Sequence, residues 1–166
     1  GFESGSQEIL DNIHKGITLE AMARFRKDAQ GAGLLIHGCF IIGNPGEREE
    51  TAFETIDFAK RLNCDTAQFF PLMLYPGTEA YDWAKERGYI KSEDFSQWLT
   101  KDGLHNSVLE TDDLSAKDLV RFCDYARRQF YLRPKYILYK LARAVANKDE
   151  FARTFKSFMT FYKHLV

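Results

Sequence analysis

The run LLIHGCFII, Leu34–Ile42, constrains the fold more than any other stretch of this 166-residue chain. It is nearly continuous in apolar character, which suits a strand covered on both faces, the habit of parallel sheets. Parallel strands need long crossovers, and helical patterns stand on either side of the run. Upstream, QEILDNIHK places Ile9, Leu10 and Ile13 on one helical face, with Gly16 as its stop and Ser4 or Ser6 suited to cap its start. Thr18 caps a second helix that carries Glu20 in its first turn and closes at Gly31 and Gly33.

Downstream, GNPGE (Gly43–Glu47) punctuates the strand end, and a helix carrying Phe53, Ile56 and Ala59 runs to about Leu62. TAQFFPLML reads as a second strand that breaks near Pro71. Pro76 and Gly77 suit the centre of a turn, and Thr78 caps a helix that ends at Gly88. The pattern then weakens into a polar stretch with Trp98, and only helical signals follow: Ser115–Leu132, a break at Arg133–Pro134, Lys135–Ala146 and Glu150–His164. The expected organisation is an α/β part over residues 1–90, a linker over 91–113 and an all-helical extension over 114–166. The aromatic repeat of Phe151, Phe155, Phe158, Phe161 and Tyr162 reads as a packing face.

Charge is uneven along the chain. Residues 1–111 hold 11 Lys and Arg against 18 Asp and Glu, whereas residues 112–166 hold 12 against 6. The net charge of −1 argues against a dedicated nucleic-acid binder, while the tail is basic. Cys39, Cys64 and Cys123 are scattered and odd in number, as in a reducing compartment, and no apolar run reaches the length of a membrane span. A cytoplasmic protein is expected. The chain begins inside a motif-like stretch without an initiator Met and is read as part of something longer.

Loops that follow parallel strands are where α/β proteins gather their sites. Glu3 has two readings: a carboxylate at a strand end, able to accept hydrogen bonds from a diol, or a solvated residue ahead of a helix cap. The glycines of Gly43-Asn44-Pro45-Gly46 either admit a flat ring to the backbone or merely turn the chain; without Lys and Ser/Thr the loop is no P-loop. His37 in its apolar strand reads as a packing residue, and Cys39 as buried and inert. No zinc pattern, Ser-His-Asp arrangement or catalytic pair is present, so no catalytic or metal-ligating residue is assigned.

Taken in order, GFESGSQEILDNIHKGIT, HGCFIIGNPGE and LYPGTEAYDWA resemble the C-terminal part of radical S-adenosylmethionine (radical SAM) enzymes. The subgroup resembled usually carries an upstream cobalamin-binding domain and includes the anaerobic magnesium-protoporphyrin IX monomethyl ester cyclase and several methyltransferases. The resemblance covers residues 1–90 well and the helical tail loosely. It implies the C-terminal half of an open β/α (TIM-like) barrel followed by a helical extension. It implies that Glu3, with Ser4 beside it, contacts the ribose of SAM, that Lys15 reaches the SAM carboxylate, and that Ile41, Ile42 and Gly43 lie near the adenine. Gln68 and Tyr75 would line the substrate side.

Two departures accompany it. Gly43 and Glu47 stand four apart where the family commonly has three, which leaves Glu47 without an assigned role. The C-x-x-x-C-x-x-C loop that binds the 4Fe-4S cluster does not occur in the chain, so the cluster ligands would lie outside it. The intact enzyme would cleave SAM reductively to a 5′-deoxyadenosyl radical for tetrapyrrole cyclisation, methyl transfer or a related modification of a small-molecule substrate. The expected partner is the missing N-terminal half of the barrel, and a half barrel on its own is expected either to dimerise through its open edges or to let its tail helices fold over the gap. The competing expectation is a self-contained α/β module whose basic, aromatic tail docks a partner protein.

Overall fold

The computed structural model describes residues 1–94, 96 and 106–146. Two compact units divide at residue 130: Gly1–Phe130 and Tyr131–Val166.

In the first unit, β1 (His37–Ile42) and β2 (Thr66–Pro71) pair in parallel, His37 opposite Thr66 and Ile42 opposite Pro71. Glu3 adds a parallel bridge to Phe40 on the other side of β1. The segments of this sheet therefore run the same way, as the α/β pattern predicts, while Ile90 and Leu109 form a separate antiparallel bridge; closure into half a barrel is a further step that two strands and a bridge do not display. Helices α1 (Gln7–Asn12) and α2 (Leu19–Gly31) precede β1, and α3 (Glu49–Leu62) crosses from β1 to β2. After β2 come α4 (Glu79–Glu86) and α5 (Ala116–Tyr131).

One face of this sheet carries the core. Phe2, Phe40 and Phe69 stack across the three segments, with centroids 5.8 and 5.3 Å apart, and Phe130 of α5 tilts onto Phe69 at 6.2 Å. Each large ring buried this way contributes on the order of 2 kcal/mol. The opposite face shows His37, Cys39 and Ile41 beside Thr66, Gln68 and Phe70, all exposed or half-buried. This corrects the expectation of a strand covered on both sides by this chain. Leu34 and Leu35 lie outside the strand and are mostly exposed, because the Asp65 carboxylate takes the Ile36 amide at 2.9 Å and the ladder starts only there.

The sheet's two edges differ. The amides of Thr66 and Leu72 donate to Ile36 and Ile42, so the odd-numbered residues of β2 turn their backbone away from β1. Pro71, which has no N–H, falls on that outward set and breaks no ladder bond. The outward carbonyl of Phe69 accepts from the Arg127 guanidinium at 3.1 Å, so α5 covers this edge. On the other edge, Phe2 and Glu3 donate to the Cys39 carbonyl and Ile41 donates to the Glu3 carbonyl at 2.7 Å.

Gly5 explains how α3 is seated. A Cβ there would lie 2.5 Å from Phe58 Cβ and 2.7 Å from Thr55 Cα, so only glycine lets the chain touch the helix. Thr18 and Thr78 cap their helices as expected, accepting from Ala21 and Tyr81. Ser6 stands at the N-cap of α1 without a side-chain bond, a correction to its expected role: its own amide is held by Ser4 Oγ at 3.1 Å. In the second unit α6 (Pro134–Ala146) follows the break at Arg133–Pro134. The expected helix Glu150–His164 and its aromatic repeat, and Trp98, lie outside the described residues. No described helix is long and apolar enough to cross a membrane.

Candidate functional site

Parallel strands bring their C-terminal ends to one side, which is where Glu3, the Gly43–Glu47 loop and the Tyr75 turn emerge. Glu3 adopts φ 65°, a conformation uncommon for a residue with a Cβ and held here by its backbone bonds to Cys39 and Ile41. Its Oε1 accepts from Lys15 Nζ at 3.0 Å. Lys15 is delivered by the turn that ends α1, where His14 sits at φ 52° and the Lys15 amide donates to Leu10. Both side chains are partly exposed, at 20% for Glu3 and 32% for Lys15, so water and ligands compete for the pair and its stabilisation is at most about 1 kcal/mol.

Ser4 behaves differently from its neighbour. It is fully buried, its hydroxyl shared with Thr55 Oγ1 at 3.0 Å and with the Ser6 amide, and the Gly5 amide also donates to Thr55. Its contacts are thus with α3, and it acts on the site by fixing the backbone beside Glu3.

Ile41 and Ile42 point to opposite faces, as neighbours in a strand must. Ile42 is wholly buried and Ile41 half-buried on the more open face. Gly43 has φ 107°, and a Cβ on it would meet Leu119 and Leu109 at 3.1–3.2 Å. That side of the glycine is therefore filled by leucines, and the residue as a whole is buried. Gln68 exchanges a 2.9 Å hydrogen bond with His37, which also bonds Thr66 at 2.7 Å, and so faces the N-terminal half of the sheet. Tyr75 stands at the C-terminal side, 57% exposed, opening the Pro76–Gly77 turn. Glu3 and Lys15 come together; the Gly43 loop is tied to them through α1 by Asn12, which donates to Pro45 at 3.0 Å; Gln68 stands apart.

The residue that sequence reasoning left without a role is Glu47. It is 2% exposed, and its Oε2 accepts from the Gly43 and Asn44 amides at 2.8 and 3.1 Å. Its Oε1 is buried with no hydrogen-bond partner. Burial pushes its carboxyl up to about 7, against the pull of the amides and the Asn44 side chain. An acid placed just after a Gly-Asn-Pro-Gly turn, able to reach back to the turn's amides, was the available signal; its burial was not. Cys39, expected to be buried, is instead half-buried on the open face of the sheet, whereas burial pushes Cys64 up to about 11 and Cys123 higher still.

Among curated proteins the chain is similar to an uncharacterised methyltransferase of Pyrococcus horikoshii, 35% identical over 138 residues, which is 83% of this chain and 29% of the relative. It is 28% identical over 169 residues to the bacteriochlorophyllide d C-8(2)-methyltransferase of Chlorobaculum tepidum, 95% of this chain and 37% of the relative. A tRNA-2-methylthio-N(6)-dimethylallyladenosine synthase of a Ruegeria species is 33% identical over 85 residues, 50% of this chain and 19% of the relative. No family model matches the chain. The chain thus spans from about a fifth to somewhat over a third of these relatives, whose names speak of methyl transfer and of methylthio-adenosine synthesis.

Proposed function

We propose that the chain is part of a radical SAM enzyme acting in methyl transfer, in which it supplies one side of the SAM site and part of the substrate wall. The Glu3–Lys15 pair at the C-terminal end of an all-parallel sheet carries this proposal. The methyltransferases among its relatives support it.

The donor set suits SAM. An ammonium group can hold a carboxylate, a carboxylate can accept from a ribose diol, and here the two sit together, partly exposed, on hydrogen-bonded backbone. Lys15 would bind the amino-acid end and Glu3 the ribose, with Ser4 and Thr55 holding the Glu3 backbone still. Ile41 would offer apolar contact to the adenine beside the Gly43 backbone, and Ile42 would support them from the core. Tyr75 would screen the substrate side from water. SAM supplies the reacting group when bound; the residues here bind, orient and exclude water.

The 4Fe-4S cluster does not fit this chain. Cys39, Cys64 and Cys123 stand on separate elements, and no described group of three His, Cys, Asp or Glu residues could hold a metal. Its ligands, the rest of the barrel and any cobalamin domain belong to a longer protein in this proposal. The test is anaerobic reconstitution of the longest product of the reading frame with iron and sulfide. Cluster absorbance and reductive SAM cleavage are expected; a product that binds neither iron nor SAM would overturn the proposal.

A further inference from the structure

The open face of the sheet holds a side chain whose orientation is fixed and whose donors are unspent. Gln68 stands opposite Cys39 in the ladder, and His37 stands opposite Thr66 two residues nearer the start of the strands. His37, expected as a packing residue, is exposed here, and both of its ring nitrogens are engaged. Nε2 meets the Gln68 Oε1 at 2.9 Å and Nδ1 meets the Thr66 Oγ1 at 2.7 Å. An amide oxygen only accepts, so Nε2 carries the proton; in the neutral ring Nδ1 then accepts from the Thr66 hydroxyl. The chain of donors thus runs from Thr66 through His37 to Gln68. It ends at an amide nitrogen that has no partner among the described residues.

The surroundings narrow what that nitrogen can meet. Gln68 is exposed, and with its oxygen held by His37 the amide offers two N–H donors to whatever approaches the face. Glu3 bridges to Phe40 on the far side of β1, two strand spacings from β2, which is about 10 Å. Between them this face presents Cys39 and Ile41, half-buried. A molecule that spans the Glu3–Lys15 pair and Gln68 therefore crosses an apolar strip and arrives at donors.

We infer that Gln68 binds a carboxylate or carbonyl oxygen of an apolar small molecule lying across β1, and that His37 positions it by holding the amide with its nitrogen outward. The inference rests on the proposed function only in taking that molecule for the substrate. Two other occupants fit less well. A cationic group would bring donors against donors, and an apolar protein segment packed on the face would leave the Gln68 N–H groups unmet.

The test titrates 2-naphthoate, and 2-naphthylmethylammonium as its reversed counterpart, into the longest product of the reading frame. Naphthoate is expected to bind better than the ammonium. It should also shift the Gln68 side-chain amide signal in a proton–nitrogen correlation spectrum, where Gln68→Glu identifies that signal by its loss. Gln68→Glu should weaken naphthoate by about tenfold or more and favour the ammonium instead. His37→Phe frees the amide to turn and should make the two probes bind alike, whereas a merely structural role for His37 would weaken both equally. SAM titrated into the parent reports separately: naphthoate binding without SAM binding would count against the proposed function and for the subsite. No binding of naphthoate, an unmoved amide signal, or equal naphthoate affinity in Gln68→Glu would each overturn the inference.

Discussion

Two carboxylates at the same end of one sheet meet opposite fates. Glu3 is partly open to solvent and answered by a flexible ammonium; Glu47 is sealed in and answered by two fixed amides, with one oxygen left over. The first arrangement can exchange its partner for a ligand at little loss. The second cannot, because releasing the Gly43 and Asn44 amides would leave buried donors unmet. In the proposed function, recognition falls to the open acid and scaffolding to the sealed one.

The largest expected effect lies under Glu3. Gly5→Ala forces a Cβ to within 2.5–2.9 Å of Phe58, Thr55 and Glu54 atoms and should destabilise the fold by on the order of 3 kcal/mol, read as a lower denaturant midpoint at unchanged slope. A variant as stable as the parent would show that α3 does not hold the Glu3 segment in place.

Glu47 should reveal itself through pH. The unfolded carboxyl loses its proton near 4.5 and the folded one near 7, so between these values the folded state binds more protons. Stability should therefore be highest below that window and fall as pH rises through it, by up to about 3 kcal/mol. Glu47→Gln should flatten this part of the profile. A parent profile with no decline between those pH values would mean that Glu47 ionises as readily folded as unfolded.

The smallest effect on stability should come from the Glu3–Lys15 pair. Glu3→Gln and Lys15→Met should each shift folding by no more than about 1 kcal/mol, because both side chains are hydrated. A loss of several kcal/mol would place the pair among the scaffold and erase the contrast with Glu47.

Much of the sheet could be read from the sequence because its signals are local. Thr18 and Thr78 cap within three residues of themselves, and the Pro76–Gly77 turn and the break at Pro134 rest on the backbone chemistry of single residues. Leu34 and Leu35 misled, since apolar character alone does not say where a ladder begins; Asp65, far along the chain, decides it. Ser4 was hidden for the same reason, its partner Thr55 lying 51 residues away. Glu47 was the hardest, because its burial comes from elements that the sequence presents separately, Leu109 and α5 closing over the loop that it holds.

The central claim is that the open carboxylate, and not the buried one, meets the ligand. Isothermal titration of SAM into the longest product of the reading frame tests it, comparing Glu3→Gln and Lys15→Met with Glu47→Gln at pH 6, below the folded Glu47 midpoint of about 7. The account predicts affinity lowered about tenfold by either of the first two substitutions and little changed by the third. Unchanged affinity in Glu3→Gln and Lys15→Met, with loss confined to Glu47→Gln, would contradict it.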